Sequence, residues 1–479
     1  MSTHLQPGMH VGGYELLSPL HEGGMATLWK VAPPQAASEP AAPKPDFPLL
    51  MKLPRLGYGE AVTQIVGFEV ERMLLPVLTG PYVPRFVASG DDGDQPWLVM
   101  EQVPGQTLRG LLDHAPLPAE RVAALGALAA IALDDLHRQH VVHLDIKPSN
   151  LMLQNDPQSG EERVVLIDFG LSHHAQLPDL LGEQFDVPLG TSPYISPEQV
   201  LGIRNDPRSD LFALGVTLYH LATGERPFGF PTSRRGLRRR LYRDPQPPRA
   251  LRPDIPRWFQ EIVLRCLEVD PDARYPTAAQ LAFDLQHPEQ VPLSERAERA
   301  HRDGRLAVTR RWLKSLGREA EPVATTPATA PLVMVALDIK QRDAALDSAL
   351  NDVVQRLMQT LPGARLACVA VMRTALIGLD SNIDDAGRNR HVKRLLAMRH
   401  WARALQLPDN RITFHVLESS DVAAALVEFA RDNGIDHLVM GARGVTGVNR
   451  LLGSVSAKVV AEAGCTTTVV RSRPSTARG

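Results

Sequence analysis

A chain of 479 residues is too long for one hydrophobic core, so two or three domains are expected. Its 44% hydrophobic and 22% charged content is that of a soluble globular protein. A formal net charge of −2 supplies no global basic field, which argues against nucleic acid or a membrane surface as partner. Residues 1–13 lack a basic region followed by an apolar stretch, so no signal peptide is read there. The longest apolar run, about Val122 to Leu133, is too short to span a bilayer and predicts a buried helix. Three scattered cysteines, Cys266, Cys368 and Cys465, form no metal-spaced pair and suit a reducing, cytoplasmic location.

In chain order, the first apolar strands are Thr27–Val31 and Leu49–Lys52. Between them lies a Pro/Ala-rich stretch, Pro33 to Pro48, which predicts an extended insertion in a hairpin. Just before the first strand, Gly23 and Gly24 read on their own as a plain strand turn. Lys52 ends the second strand. Glu71, with Glu69 as the alternative, precedes an apolar helical run that ends at Leu78. Further on stands His143-Leu144-Asp145-Ile146-Lys147-Pro148-Ser149-Asn150. An Asp, a Lys two residues later and an Asn five residues later suit a loop with three jobs. It orients a hydroxyl, touches a transferring phosphoryl group and holds a metal ion. Asp168-Phe169-Gly170 follows the apolar strand Val164–Ile167, and Asp168 can hold Mg²⁺ against phosphates.

Both signatures, in this order and spacing, resemble the catalytic half of a protein kinase. The chain is similar to bacterial eukaryotic-like (Hanks-type) Ser/Thr protein kinases over residues 11–285. The resemblance implies an α+β bilobal fold, ATP as substrate, Mg²⁺ or Mn²⁺ as cofactor, and protein Ser/Thr as acceptor. It implies that Asp145 orients the acceptor hydroxyl and takes its proton, while Lys147 neutralises the γ-phosphate. Asn150 and Asp168 hold the metal. Lys52, paired with Glu71, contacts the α- and β-phosphates beneath Gly23 and Gly24. Trp97–Gly105 resembles the hinge between lobes, with Glu101 and Val103 offering backbone groups to adenine and Met100 closing the pocket. Gly190–Glu198 resembles the substrate-positioning segment, where Thr191 bridges Asp145 and Lys147. Glu198 pairs with Arg274 and Asp210 braces the catalytic loop, while His143 is structural. Arg234 to Arg243 reads as a solvated basic loop, and His173-His174 as loop histidines. The chain departs from the family at His21 and Ala26, where glycines stand, and at Leu144, where an Arg that reads an activation-loop phosphate stands. These departures leave a second reading, a nucleotide-binding pseudokinase scaffold in stress signalling.

Residues 286–331 read as a linker, with a short basic helix near Leu306–Leu316 and a Pro/Thr/Ala tail. From Leu332 apolar strands alternate with helical patterns, which predicts an α/β doubly wound parallel sheet. Residues 332–473, with the glycine loop Gly441–Ser454, resemble the universal stress protein family. The resemblance implies an AMP or ATP site made by Asp338, Gly441, Gly444, Gly453 and Ser454, at a helix N-terminus and the carboxyl ends of the strands. Eight residues separate Gly444 from Gly453, one fewer than in nucleotide-binding members, so a purely structural module stays open. The family often forms homodimers through its last strand, here Thr467–Val470.

From His173 to Leu189 there is no Ser, Thr or Tyr, and Leu144 cannot pair with a phosphate. Activity is therefore expected without phosphorylation of the activation loop. Mass spectrometry of active protein checks this, and a phosphate on Thr191 or Ser192 that activity requires would overturn it.

Overall fold

The computed structural model describes residues 5–471 except 23–25, 35–44, 56–61, 93–94, 156–159, 186, 303, 316–330, 340–342, 374–389, 409–410 and 443–452. Gly23, Gly24, Gly444, most of the Pro/Ala-rich stretch and the tail of the linker lie outside the described residues.

The N-terminal part is an antiparallel sheet of six strands in the order β1-β2-β3-β4-β6-β5. The strands are β1 (His10–Val11), β2 (Tyr14–Glu22), β3 (Ala26–Ala32), β4 (Leu49–Pro54), β5 (Phe86–Asp92) and β6 (Gln95–Glu101), with helix α1 (Val62–Leu74) after β4. Strand periodicity sets the direction of Lys52. Leu49, Met51 and Leu53 alternate onto one face and bury against Trp29, Val31 and Val99. Lys52 therefore projects from the opposite face, from a central strand paired with Leu28 and Leu98.

The larger lobe begins with β7 (Gln106–Thr107) and α2 (Ala119–Arg138). Val122, Leu125, Ala129, Leu133 and Leu136 of α2 are fully buried, as the apolar run predicts. Gly126 lets α5 (Arg208–Thr223) approach, because a Cβ there would meet Leu218 Cδ2 at 2.7 Å. Strand β8 (Val141–Val142) pairs with β11 (His173–His174), so the two histidines sit in a short ladder rather than a loop. Between them, the hairpin of β9 (Leu151–Asn155) and β10 (Glu162–Leu166) closes the sequence gap between Asn150 and Asp168. Leu166 pairs with Leu151, and the Ile167 N–H donates to Asn150 O at 3.0 Å.

After β11 come α3 (Leu180–Gln184), α4 (Pro197–Val200) and α6 (Arg234–Arg238), then α7 (Pro248–Leu251), α8 (Arg257–Cys266), α9 (Ala278–Gln286), α10 (Glu295–Glu298) and α11 (Arg305–Ser315). The basic run 234–243 is thus a helix and a 3-10 turn, not a solvated loop, and Arg240 is buried. Residues just after 286 also pack: Ala297 is buried, and Glu261 of α8 accepts from the Ala297 N–H at 3.1 Å. Among the described residues no helix is long and apolar enough to cross a membrane.

The C-terminal part is a five-stranded parallel sheet in the order β14-β13-β12-β15-β16. Its strands are β12 (Leu332–Ala336), β13 (Arg365–Arg373), β14 (Ile412–Ser419), β15 (His437–Gly441) and β16 (Thr466–Val470). Helices α12 (Ala344–Thr360) and α13 (Arg390–Ala402) cover one face, and α14 (Val422–Asp432) and α15 (Ser454–Glu462) the other. Val333 and Val335 face the first pair while Met334 faces the second, so β12 is apolar on both sides, as a doubly wound sheet requires. The strand order reverses between β12 and β15, which opens a crevice at their carboxyl ends.

Candidate active site

One cation sits between two carboxylates that come from different elements. Lys52 Nζ contacts Glu71 of α1 and lies 3.1 Å from Asp168 Oδ1 beyond β10. Glu71 is 2% exposed. Burial alone pulls the Lys52 ammonium towards neutrality, but Asp168 and Glu71 outweigh it and the group's pKa ends above its ordinary value. The same charge holds the Asp168 carboxyl down to about 2, against its burial, with Lys147 adding to the effect. Glu69 goes elsewhere. Two residues apart on a helix are about 200° apart around its axis, so α1 presents only one of them to Lys52. Glu69 pairs with Arg399 of α13.

The catalytic-loop residues form a connected network. Lys147 Nζ donates to Asp145 Oδ2 at 2.6 Å and to Thr191 Oγ1 at 2.9 Å. Thr191 returns to Asp145 Oδ1 through its hydroxyl at 2.7 Å and its N–H at 3.0 Å. Asn150 Nδ2 donates to Asp145 O at 2.9 Å, which ties its amide nitrogen to the loop. The Asn150 carbonyl oxygen and the ionised Asp168 carboxylate are hard oxygen donors, the type that suits Mg²⁺ beside phosphates. Among the described residues no cluster of three or more His, Cys, Asp or Glu suggests another metal position.

The loop's backbone is held from below. Asp210, fully buried at the start of α5, accepts from the His143 and Leu144 N–H groups, each at 2.8 Å. His137 Nε2 lies 2.9 Å from the same carboxylate. Leu144 and Asp168 both have left-handed backbone, at φ 63° and 66°. Such non-glycine geometry costs free energy and persists only where neighbours enforce it. His143 packs its ring 5.1 Å from Phe169 and places Nε2 3.2 Å from Ile167 O. Glu198 and Arg274 form a buried bidentate pair at 2.6 and 2.8 Å.

At the lobe junction Met100 is buried with Leu98 and Phe68. The Glu101 N–H is spent on Arg85 O at 2.8 Å, so any adenine contact from Glu101 falls to its carbonyl. Val103 follows, partly exposed. Two residues here escape a reading of the sequence. Arg240 donates to Ser192 O at 2.8 Å and also to Ile195 O, fastening the segment that carries Thr191. Burial pushes its guanidinium down to about 10. Gln199 donates to Leu144 O at 2.9 Å and Leu189 O at 3.2 Å, joining the catalytic loop to the same segment. Its Ser196-x-x-Gln199 spacing is a capping box and is visible in the sequence. The burial of Arg240 within a run of arginines is not.

In the C-terminal part a cavity of about 790 Å³ lies at the strand ends, lined by Asp338, Arg373, Arg390, Lys393, Arg394 and Gly453, with Ser454 opening α15. Gly441 also borders it. Its lack of a Cβ has a packing reason, since a Cβ there would meet Leu346 Cδ2 at 2.8 Å.

Residues 63–288 match the protein kinase domain family, and residues 332–471 match the universal stress protein family. The serine/threonine-protein kinase pkn2 of Myxococcus xanthus is 35% identical over 222 residues, 46% of this chain and 26% of that protein. The serine/threonine-protein kinase PknL of Mycobacterium bovis is 33% identical over 247 residues, 50% of this chain and 59% of the relative. The crystal structure of the Mycobacterium tuberculosis PknI kinase domain aligns with a TM-score of 0.44 at 23% identity, covering 59% of this chain and 99% of that one. The chain spans only 26% of the length of pkn2 and 59% of PknL. The first match takes in Glu71, Asp145 and Asp168 and the second the strands that border the C-terminal cavity, so the chain joins a protein kinase domain, similar to those of bacterial serine/threonine kinases, to a universal stress protein domain.

Proposed function

We propose that the chain transfers the γ-phosphate of ATP to Ser or Thr hydroxyls of protein substrates. The observation that carries this reading is the meeting of Lys52, Glu71 and Asp168 beside the Asp145–Lys147–Thr191 network. Phosphoryl transfer asks mainly for positioning and charge stabilisation, and these residues supply both. Lys52, fixed by Glu71, holds the α- and β-phosphates. Asn150 and Asp168 would hold Mg²⁺, whose charge draws the phosphate oxygens together and offsets charge developing on them. Asp145 accepts a hydrogen bond from the acceptor hydroxyl and takes its proton as the new O–P bond forms and the bond from the γ-phosphorus to the β–γ bridging oxygen breaks, ADP leaving with that oxygen. Lys147 balances the negative charge of the phosphoryl group at that point. Thr191 keeps Asp145 and Lys147 in register. None of the departures at His21, Ala26 and Leu144 removes a metal ligand or the base.

The stress protein domain is proposed to bind AMP or ATP in its 790 Å³ cavity. Arg390 and Arg394 of α13 line the cavity and match phosphate charge, and the N-terminus of α15 at Ser454 adds backbone donors.

Incubation with labelled ATP, Mg²⁺ and a generic basic protein substrate tests the first reading. Wild type is expected to incorporate label, and Asp145→Asn to lower the rate by about 10²-fold or more. Equal background in both contradicts transfer and favours a scaffold. Calorimetric titration of the full chain with AMP tests the second. Binding is expected in wild type and loss of it in Arg394→Glu, whereas no heat from wild type removes the reading.

A further inference from the structure

The two domains touch through buried charge, and the contacts fall on the kinase elements that set the Lys52 geometry. Arg399 of α13 pairs with Glu69 of α1 and places Nη1 3.3 Å from Asp91 of β5. Arg72 Nη1 holds the same Asp91 oxygen at 2.8 Å. The Arg399 side chain is 14% exposed and lies over the Phe414 ring of β14 at 5.7 Å. A second contact lies on α3, in the segment after Asp168-Phe169-Gly170. Glu183 is 3.1 Å from Arg365 Nη2 and 3.1 Å from His415 Nε2, and His415 is fully buried. Gln184 Nε2 donates to Val416 O at 2.9 Å, on the outer edge of β14, an edge strand of the parallel sheet.

Both anchored elements act on one another. Val66 and Val70 of α1 pack with Leu180 and Leu181 of α3. A Cβ at Gly67 of α1 would lie 2.9 Å from Gly170 O, so α1 sits directly on the backbone beside Asp168. Glu71 is two residues from Glu69 on the same helix. A shift of α1 away from Arg399 therefore moves Glu71 relative to Lys52. Within the kinase domain, Arg204 holds the α3 segment through Asp179 at 2.8 Å and Leu171 O at 3.0 Å, and Gln199 holds its far end through Leu189 O at 3.2 Å. Leu144 is buried and apolar, so that position of the catalytic loop adds no charge. Past Asp179, Glu183 and Gln184 find their partners in the stress protein domain.

We propose that the universal stress protein domain is an intramolecular activator of the kinase domain. Arg399 clamps α1 and β5, and Arg365 with His415 clamps α3. Together they keep Glu71 against Lys52 and order the segment that follows Asp168, with no phosphate needed on it. Charge pairs that are largely desolvated are costly to break on one side only, which makes docking sensitive to single substitutions. This inference rests on the phosphotransfer reading for its consequence, but not for the docking itself.

The test uses the full chain with Arg399→Glu, Glu69→Arg and the two combined, read by phosphotransfer rate and by hydrogen exchange of residues 62–74 and 179–185. Each single substitution is expected to lower the rate by about 10-fold, the usual scale of coupling between sites, and to raise exchange in both segments. The combined charge swap is expected to recover both. Unchanged rate and exchange in the singles overturn the proposal. So does a loss of rate that the swap fails to recover while exchange stays at the wild-type level. Should a single variant fail to fold, Arg399→Gln takes its place with the same expectations. A wild type that transfers no phosphate sinks the kinase reading instead, and the exchange pattern then decides the docking alone.

Discussion

The site depends on one ammonium held between two carboxylates. Lys52 is fixed by strand alternation in β4, Glu71 by its position on α1, and Asp168 by the hairpin that returns the chain beside Asn150. Glu71 is buried and Lys52 largely so, while Asp168 is partly exposed. Desolvating an isolated charge costs several kcal/mol even after relaxation, so Glu71 and Lys52 are tolerated there because each has the other as counterion. That mutual dependence makes the site a reporter of lobe geometry. Displacing α1 or the segment after Asp168 leaves a buried charge without its counterion.

Much of this was legible in the sequence, for reasons that differ by residue. Lys52 ends an apolar alternating run, and Asp145, Lys147 and Asn150 share one short loop, so their local spacing carries their geometry. Asp210 and the Glu198–Arg274 pair were accessible only through resemblance, since nothing in their own neighbourhoods announces a partner 66 or 76 residues away. The sequence favours Glu71 over Glu69 but does not say where Glu69 goes. Both lie on the same helix, and only the folded chain shows that Arg399 of the other domain takes Glu69. Arg240 was misread because six arginines in ten residues look solvated. Its burial comes from the carbonyls of Ser192 and Ile195, which only the folded chain brings near.

The C-terminal sheet was legible as a whole, because parallel strands buried on both faces read as short apolar runs between amphipathic helices. What the pattern could not convey is that β14, an edge strand, has α3 of the kinase domain beside it. An uncovered edge invites unwanted pairing, and here a segment of the same chain meets it. Helix α13 has two ends with different tasks. Arg390 and Arg394 border the cavity, while Arg399 reaches the kinase domain. The two domains are thus joined by more than the linker.

The most direct test of the shared cation–carboxylate site is Mn²⁺ binding in the presence of ATP, followed by the metal's own paramagnetic signal. Asp168→Asn and Asn150→Ala are each expected to weaken Mn²⁺ binding by at least about 10-fold, the lower end of what loss of even an outer-shell partner costs. Mn²⁺ held with wild-type affinity in both variants would mean that those oxygens face separate spaces, and the account of the cleft would be wrong.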